Sequence, residues 1–116
     1  MKSSMSALSA VFIGLTLFAQ GTVSSFTGEI MDSQCAAMGT HAKMMKTEGA
    51  KDARECTTAC VKMGGKFVLY NPTTKATYQL DDQEKPRPFA GRTVTVKGTY
   101  DNAAKTIHVQ SIEAAS

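Results

Sequence analysis

Apolar and polar residues alternate in five short stretches of the chain, a pattern typical of β-strands that bury one face. In the first stretch Phe26, Gly28 and Ile30 fall on one face, and in the fourth Val94 and Val96 do. Turn-forming residues such as asparagine, proline and glycine stand between the later stretches. The predicted strands are Phe26–Asp32, Lys66–Tyr70, Ala76–Leu80, Arg92–Tyr100 and Lys105–Ile112.

The segment between the first two strands, residues 33–64, has a different pattern. Cys56, Cys60 and Met63 recur at helical spacing, and two glycines follow them as a stop signal. This predicts a helix over about Ala50–Met63. The stretch before it is mostly polar, with room for a short helix around Ala42–Lys46.

Five strands with one helical insert predict a mainly β domain over residues 26–113. We interpret the order of elements as a five-stranded OB-like Greek-key barrel with the insert between strands 1 and 2. An OB barrel usually has its substantial helix between strands 3 and 4, whereas that connection here is only Asp81–Ala90. The alternative is a plain five-stranded sheet with a helix on one face.

The beginning of the chain has the composition of an export signal. Lys2 supplies a positive start, Ala7–Ala19 is uncharged and mostly apolar, and Ala19 and Gly21 are small residues suited to a cleavage site. The apolar run is shorter than the about 20 residues that a spanning helix needs. We therefore predict a signal peptide over residues 1–21, a periplasmic or secreted location, and no membrane span after cleavage.

Composition narrows the class of partner. The chain has 116 residues and a net charge of +3, which suits one small domain and is too mild for a dedicated nucleic-acid surface. Export also argues against nucleic acid as the partner. A glycan or protein of the cell envelope is the partner class that remains compatible with these features.

Three motifs carry a family resemblance. They are Gly28-x-Ile30-x-Asp32-x-x-Cys35, Cys56-Thr57-x-x-Cys60-Val61 and Val94-x-Val96-x-Gly98. Through them, residues 26–112 resemble a family of small exported bacterial domains of unknown function that is common in acidobacteria. The resemblance implies an OB-like fold and an exported location, and it implies no activity.

The cysteines supply the most specific chemistry. Cys56 and Cys60 are four residues apart, so a helix places both sulfurs on one face. Cys35 and His41 precede that helix and could fold over this face, which would complete a tetrahedral set of the kind that holds zinc. Thioethers are soft donors that favour monovalent copper, and Met38, Met44 and Met45 lie nearby in the sequence. We therefore predict a zinc or copper site at Cys35, His41, Cys56 and Cys60.

A disulfide is the other interpretation of the same cysteines. Export leads to an oxidising compartment, in which cysteine pairs commonly become disulfides. A bond from Cys35 to Cys56 or to Cys60 would close a loop and stabilise the fold by about 3 kcal/mol. One thiol would then be left over, and the sequence does not decide between the two pairings.

A disulfide-stapled binding module is the alternative function. OB barrels bind ligands on strands 2 and 3, and Lys66, Tyr70 and Tyr78 belong to that part of the chain. Aromatic rings next to lysines suit a stacking surface. The ligand of such a surface would be a glycan or a protein of the cell envelope.

Enzymatic motifs are absent from the sequence. The Cys-x-x-x-Cys spacing differs from the Cys-x-x-Cys pair of thiol–disulfide enzymes. The acidic run at Asp81, Asp82 and Glu84 is typical of a solvated turn, and no hydrolase or phosphate-binding motif is present. We therefore predict no enzymatic activity.

Overall fold

A computed structural model of the chain describes residues 22–38 and 52–115. These residues are mainly β, with helices after the first strand, as the sequence predicts. None of the helices in these two ranges is both long and apolar enough to cross a membrane. The elements are β1 (Ser24–Asp32), α1 (Ser33–Met38), α2 (Ala53–Lys62), β2 (Phe67–Asn71), β3 (Ala76–Leu80), a 3₁₀ turn (Arg87–Phe89), β4 (Thr93–Asp101) and β5 (Thr106–Ala114).

The five strands form one sheet that closes into a ring. Their order is β1-β2-β3-β5-β4, and β4 pairs back onto β1. Four of the five contacts are antiparallel, and the contact between β3 and β5 is parallel. The five-stranded sheet is therefore closed, because the first and fourth strands are hydrogen-bonded to each other.

The main hydrophobic core fills the inside of the ring. Alternate residues of each strand point inward, and the prediction that Val94 and Val96 share a buried face is confirmed. Beside this core three half-buried aromatic rings contact one another, Phe26, Tyr78 and Tyr100, with centroids 5.4 to 6.0 Å apart. The buried residues of the main core are Ile30, Phe67, Leu69, Leu80, Ala90, Val94, Val96 and Ile107.

A second, smaller core lies on the other face of the β1–β2 pair. Met31 of β1 is the cross-strand neighbour of Val68 of β2, and both are buried together with Tyr70. Helices α1 and α2 cover these side chains and contribute Cys35, Ala36, Cys56 and Cys60. The alternating pattern predicts a single buried face for β1, and this was wrong near its end because the helical insert covers the outer face as well.

Helix α2 begins and ends on clear local signals. The Asp52 carboxylate accepts a hydrogen bond from the Glu55 backbone N–H at 2.9 Å, which is a standard N-cap contact. At the other end the Gly65 N–H donates to the Cys60 carbonyl, and Gly64 has a φ of +110°. The observed helix therefore ends just before the two glycines, as the predicted span of about Ala50–Met63 does.

The acidic run after β3 forms an ordered turn that also closes the ring. The Asp81 carboxylate accepts the backbone N–H of Val109 at 2.9 Å and lies 3.1 Å from Nδ1 of His108. Both partners belong to β5, so Asp81 extends the short parallel contact between β3 and β5. The side chain of His108 is otherwise exposed, as the alternation of β5 predicts.

Asp82, which follows Asp81, should make the free energy of unfolding depend on pH. Its carboxylate accepts the backbone N–H groups of Lys85 and Glu84 and pairs with the Lys85 ammonium at 3.0 Å. The Lys85 backbone hydrogen bond is the largest cause that lowers the pKa of Asp82 to about 2, and the Lys85 side chain and the Glu84 N–H add to it. A depressed pKa stabilises the fold above the unfolded value of about 3.9, and this contribution is lost as the pH falls through 2.

We therefore expect Asp82→Asn to lower the free energy of unfolding at pH 6 and to have a shrinking effect toward pH 2. Urea unfolding at several pH values measures this, and the amide keeps the size of the side chain while removing its charge. An NMR titration of the wild type gives an independent check. A midpoint for the Asp82 carboxyl near 4 would contradict the prediction.

Candidate metal centre

Asp32 places the first cysteine. Its buried carboxylate accepts the backbone N–H of Gln34 at 2.9 Å and that of Cys35 at 3.3 Å. These bonds satisfy N–H groups that the first turn of a helix would otherwise leave without partners. Helix α1 therefore starts directly at the end of β1. We predicted a polar stretch at this point and missed the helix, although an aspartate at its start was the available signal.

Helix α2 places the other two cysteines. Cys56 and Cys60 lie one turn apart on the face that packs toward β1 and β2. The exposed fraction is 0% for Cys35, 1% for Cys56 and 4% for Cys60, so the three sulfurs lie in a water-excluded core. Cys35 of α1 thus comes together with Cys56 and Cys60 of α2, which lie 21 and 25 positions later in the sequence.

The sulfur geometry suits a metal. Sγ of Cys35 is 3.7 Å from Sγ of Cys56, and all three Sγ atoms lie within 4.8 Å of one another. Thiolates bound tetrahedrally to zinc at about 2.3 Å have sulfurs about 3.8 Å apart. The cluster, defined as Cys35, Cys56 and Cys60 and called the tri-cysteine cluster below, could therefore hold a metal ion.

A disulfide is not formed among these three cysteines. Bonded sulfurs are about 2.05 Å apart, whereas Cys35 and Cys56 are separated by 3.7 Å. The pairings of Cys35 with Cys56 or with Cys60 stay predictions, since both would require the sulfurs to move closer.

The surroundings of Cys35 favour its protonated form when no metal is present. Burial raises the pKa of the Cys35 thiol above its ordinary range, and the neighbouring Asp32 and Cys56 side chains raise it further. Metal ligands of this type must be deprotonated, so metal loading would release the proton of Cys35.

Four further residues were predicted as ligands, and the structure describes one of them, Met38. His41, Met44 and Met45 lie outside the residues that the structure describes. Met38 is at the end of α1 and is 40% exposed, so it is not part of the buried group of sulfurs.

The predicted binding surface on strands 2 and 3 needs correction. Lys66 is exposed, but Tyr70 is only 5% exposed and is buried with the cysteines. Tyr78 pairs across the strands with Leu69 and packs beside the main core, on the opposite face of the sheet from Tyr70. Since strands alternate their side chains, Lys66, Tyr70 and Tyr78 do not form one exposed stacking surface.

Gly91 is a site-positioning residue that the sequence analysis missed. It has a φ of +75°, and its N–H donates to the Ile30 carbonyl of β1 at 2.8 Å. Its α-carbon also lies so close to α2 that an added Cβ would be 2.5 Å from the backbone nitrogen of Arg54. Gly91 thus allows the start of α2 to approach β1 closely. A lone glycine after the polar 81–89 segment gave no signal of this contact.

Together these features define a small, mainly β protein whose helical insert carries three clustered, buried cysteines. Residues 61–115 match the family described as "Protein of unknown function (DUF5818)", which supports an uncharacterised domain family. The matched segment begins directly after Cys60 and contains none of the three cysteines. No curated protein and no solved structure matches this chain.

Proposed function

We propose that this protein is a non-enzymatic, exported domain that binds zinc or copper through the tri-cysteine cluster. The observation that carries the proposal is the burial of three sulfur atoms within 4.8 Å of one another. Cysteine thiolates are ligands of zinc and of monovalent copper, and this spacing fits such a centre.

A fourth ligand completes the proposed site. We assign this place to His41, because an imidazole with three thiolates forms a common structural zinc set. Met44 and Met45 are the soft alternatives if the ion is copper. All three belong to the stretch between α1 and α2, which lies outside the described residues.

The buried environment supports a structural role for the metal. Structural sites are closed, whereas catalytic sites keep one position open to water or substrate. The metal would tie α1 and α2 to each other, because Cys35 belongs to α1 and Cys56 and Cys60 belong to α2.

The proposed context is an OB-like Greek-key barrel outside the cytoplasm. The strand order β1-β2-β3-β5-β4 with its single parallel contact supports the barrel interpretation. The apolar segment and small residues of the predicted signal peptide, residues 1–21, support export to the periplasm or beyond. The acidobacterial family resemblance agrees with both.

The test is a metal titration of reduced protein followed by native mass spectrometry. We expect wild-type protein to take up one zinc or copper ion, and Cys56→Ser with Cys60→Ser to abolish uptake while the β fold survives. The double variant removes two of three sulfurs, so the loss of affinity should exceed 100-fold. Ala59→Ser is the matched control, because it adds the same hydroxyl to α2 and keeps every sulfur.

His41→Ala in the same titration tests the fourth ligand separately. The proposal is overturned if reduced wild-type protein binds no ion. Protein recovered from the periplasm with a mass two hydrogens lower, one alkylated cysteine and no metal would favour the alternative, a disulfide-stapled module that binds a glycan or protein of the cell envelope. The same spectrum gives the mature N-terminus and so tests the predicted cleavage.

A further inference from the structure

Asp32 has a second property besides capping α1. It is 0% exposed and is the sole charged side chain that is fully buried among the described residues. Its two carboxylate oxygens accept the backbone N–H of Cys35, and its side chain also contacts the Cys35 thiol. A buried carboxylate therefore lies beside one ligand of the tri-cysteine cluster.

Within residues 22–38 and 52–115, no buried positive charge offsets Asp32. The second core contains only apolar residues, cysteines and a tyrosine, and the basic residues of α2, Arg54 and Lys62, are exposed. Three thiolates carry a charge of −3, so a divalent ion leaves −1 on the cluster and a monovalent ion leaves −2. In a water-excluded site, each further unit of positive charge near a buried carboxylate is favourable.

We infer that Asp32 is a specificity-determining residue that shifts the preference of the tri-cysteine cluster toward a divalent ion such as Zn²⁺ over monovalent copper. This inference rests on the proposed metal site and specifies the charge of the ion that the site prefers. Asp32 acts through its charge and does not bind the metal, because it is not among the ligand atoms that lie within 4.8 Å of one another.

The experiment compares Zn²⁺ and Cu⁺ affinities by chelator competition in anaerobic, reduced protein at one pH. Asp32→Asn removes the charge and keeps an oxygen that caps a helix equally well. We expect the ratio of Zn²⁺ affinity to Cu⁺ affinity to fall by about tenfold, because the more negative copper-loaded cluster gains more when one nearby buried charge is removed. Asp32→Ser, which also keeps a capping oxygen without charge, should reproduce the shift if Asp32→Asn folds poorly.

Asp52→Asn is the matched control. Asp52 caps α2 in the same way that Asp32 caps α1, but it is exposed and is not in the second core. The ratio of the two affinities should not change in this variant.

The possible outcomes separate the two proposals. If the wild type binds both ions and the ratio is unchanged in Asp32→Asn and Asp32→Ser, Asp32 is only a helix cap and the inference is wrong. Equal changes in affinity for both ions have the same meaning, because a capping defect alters the site alike for either ion. If the wild type binds neither ion, the proposed metal site itself fails.

Discussion

Gly91→Ala is expected to lower the free energy of unfolding by about 3 kcal/mol and to weaken metal binding at the same time. Two costs add. An alanine at a φ of +75° is strained, and its Cβ would lie 2.5 Å from the nitrogen of Arg54 and 2.6 Å from the carbonyl carbon of Ala53. Both atoms belong to backbone, so the start of α2 must move. Because α2 carries Cys56 and Cys60, the movement reaches the sulfurs.

Gly64→Ala is the matched control for this prediction. Gly64 also has a positive φ, +110°, but nothing lies within 4 Å of the position where its Cβ would be. It therefore reports backbone strain alone, at about 1 kcal/mol. Urea unfolding and metal titration of both variants give the comparison. Equal losses of stability would mean that the close approach of Gly91 to α2 has no energetic role.

Tyr70→Ala is expected to cost about 3 kcal/mol of stability, as is usual for large aromatic side chains removed from a core. Its side chain fills the second core beside the cysteines. Lys66→Ala, in the same part of the chain but exposed, should change stability by about 0.5 kcal/mol or less.

Thermal or urea unfolding of these two variants measures the difference. If Tyr70 instead belonged to an exposed binding surface, its removal would leave stability near that of the wild type and would affect ligand binding alone. A near-zero change in the free energy of unfolding for Tyr70→Ala would therefore contradict the burial of this side chain.

Much of the ring is predictable from the sequence, because its strands follow the simple rule of alternation. The strand Ala76–Leu80 is placed at its observed bounds, and Val94 and Val96 face the core as expected. The closure of β4 onto β1 is a long-range pairing that local patterns do not encode. The parallel contact of β3 with β5 is equally hard to predict from local patterns, since only two residue pairs define it.

The candidate site is predictable in its residues and not in its surroundings. Helical spacing indicates that Cys56 and Cys60 share a face, and the structure brings Cys35 to them. The burial of Met31 and Tyr70 beside these cysteines was missed, because one run of strand residues cannot show that a distant helix covers its second face. The same limit applies to Asp32. The sequence indicates only that a strand ends there, whereas the structure shows that Asp32 also caps α1 and lies beside the Cys35 thiol.

Burial of β2 and of the end of β1, Ile30–Asp32, on both faces has a consequence for how the two strands find their alignment. In a sheet with one solvent-exposed face, a one-residue shift of a strand is unfavourable because it turns the apolar side chains toward solvent. For Ile30 and Met31 a slip would exchange one buried environment for another, so hydrophobicity discriminates weakly at this end of the strand. Steric fit between the two backbones must select the alignment instead. A Cβ on Gly28 would lie 2.5 Å from the Tyr70 carbonyl oxygen, so a shifted chain that placed Thr27 or Glu29 there would collide. One hydrogen atom in place of a side chain thus selects the correct alignment.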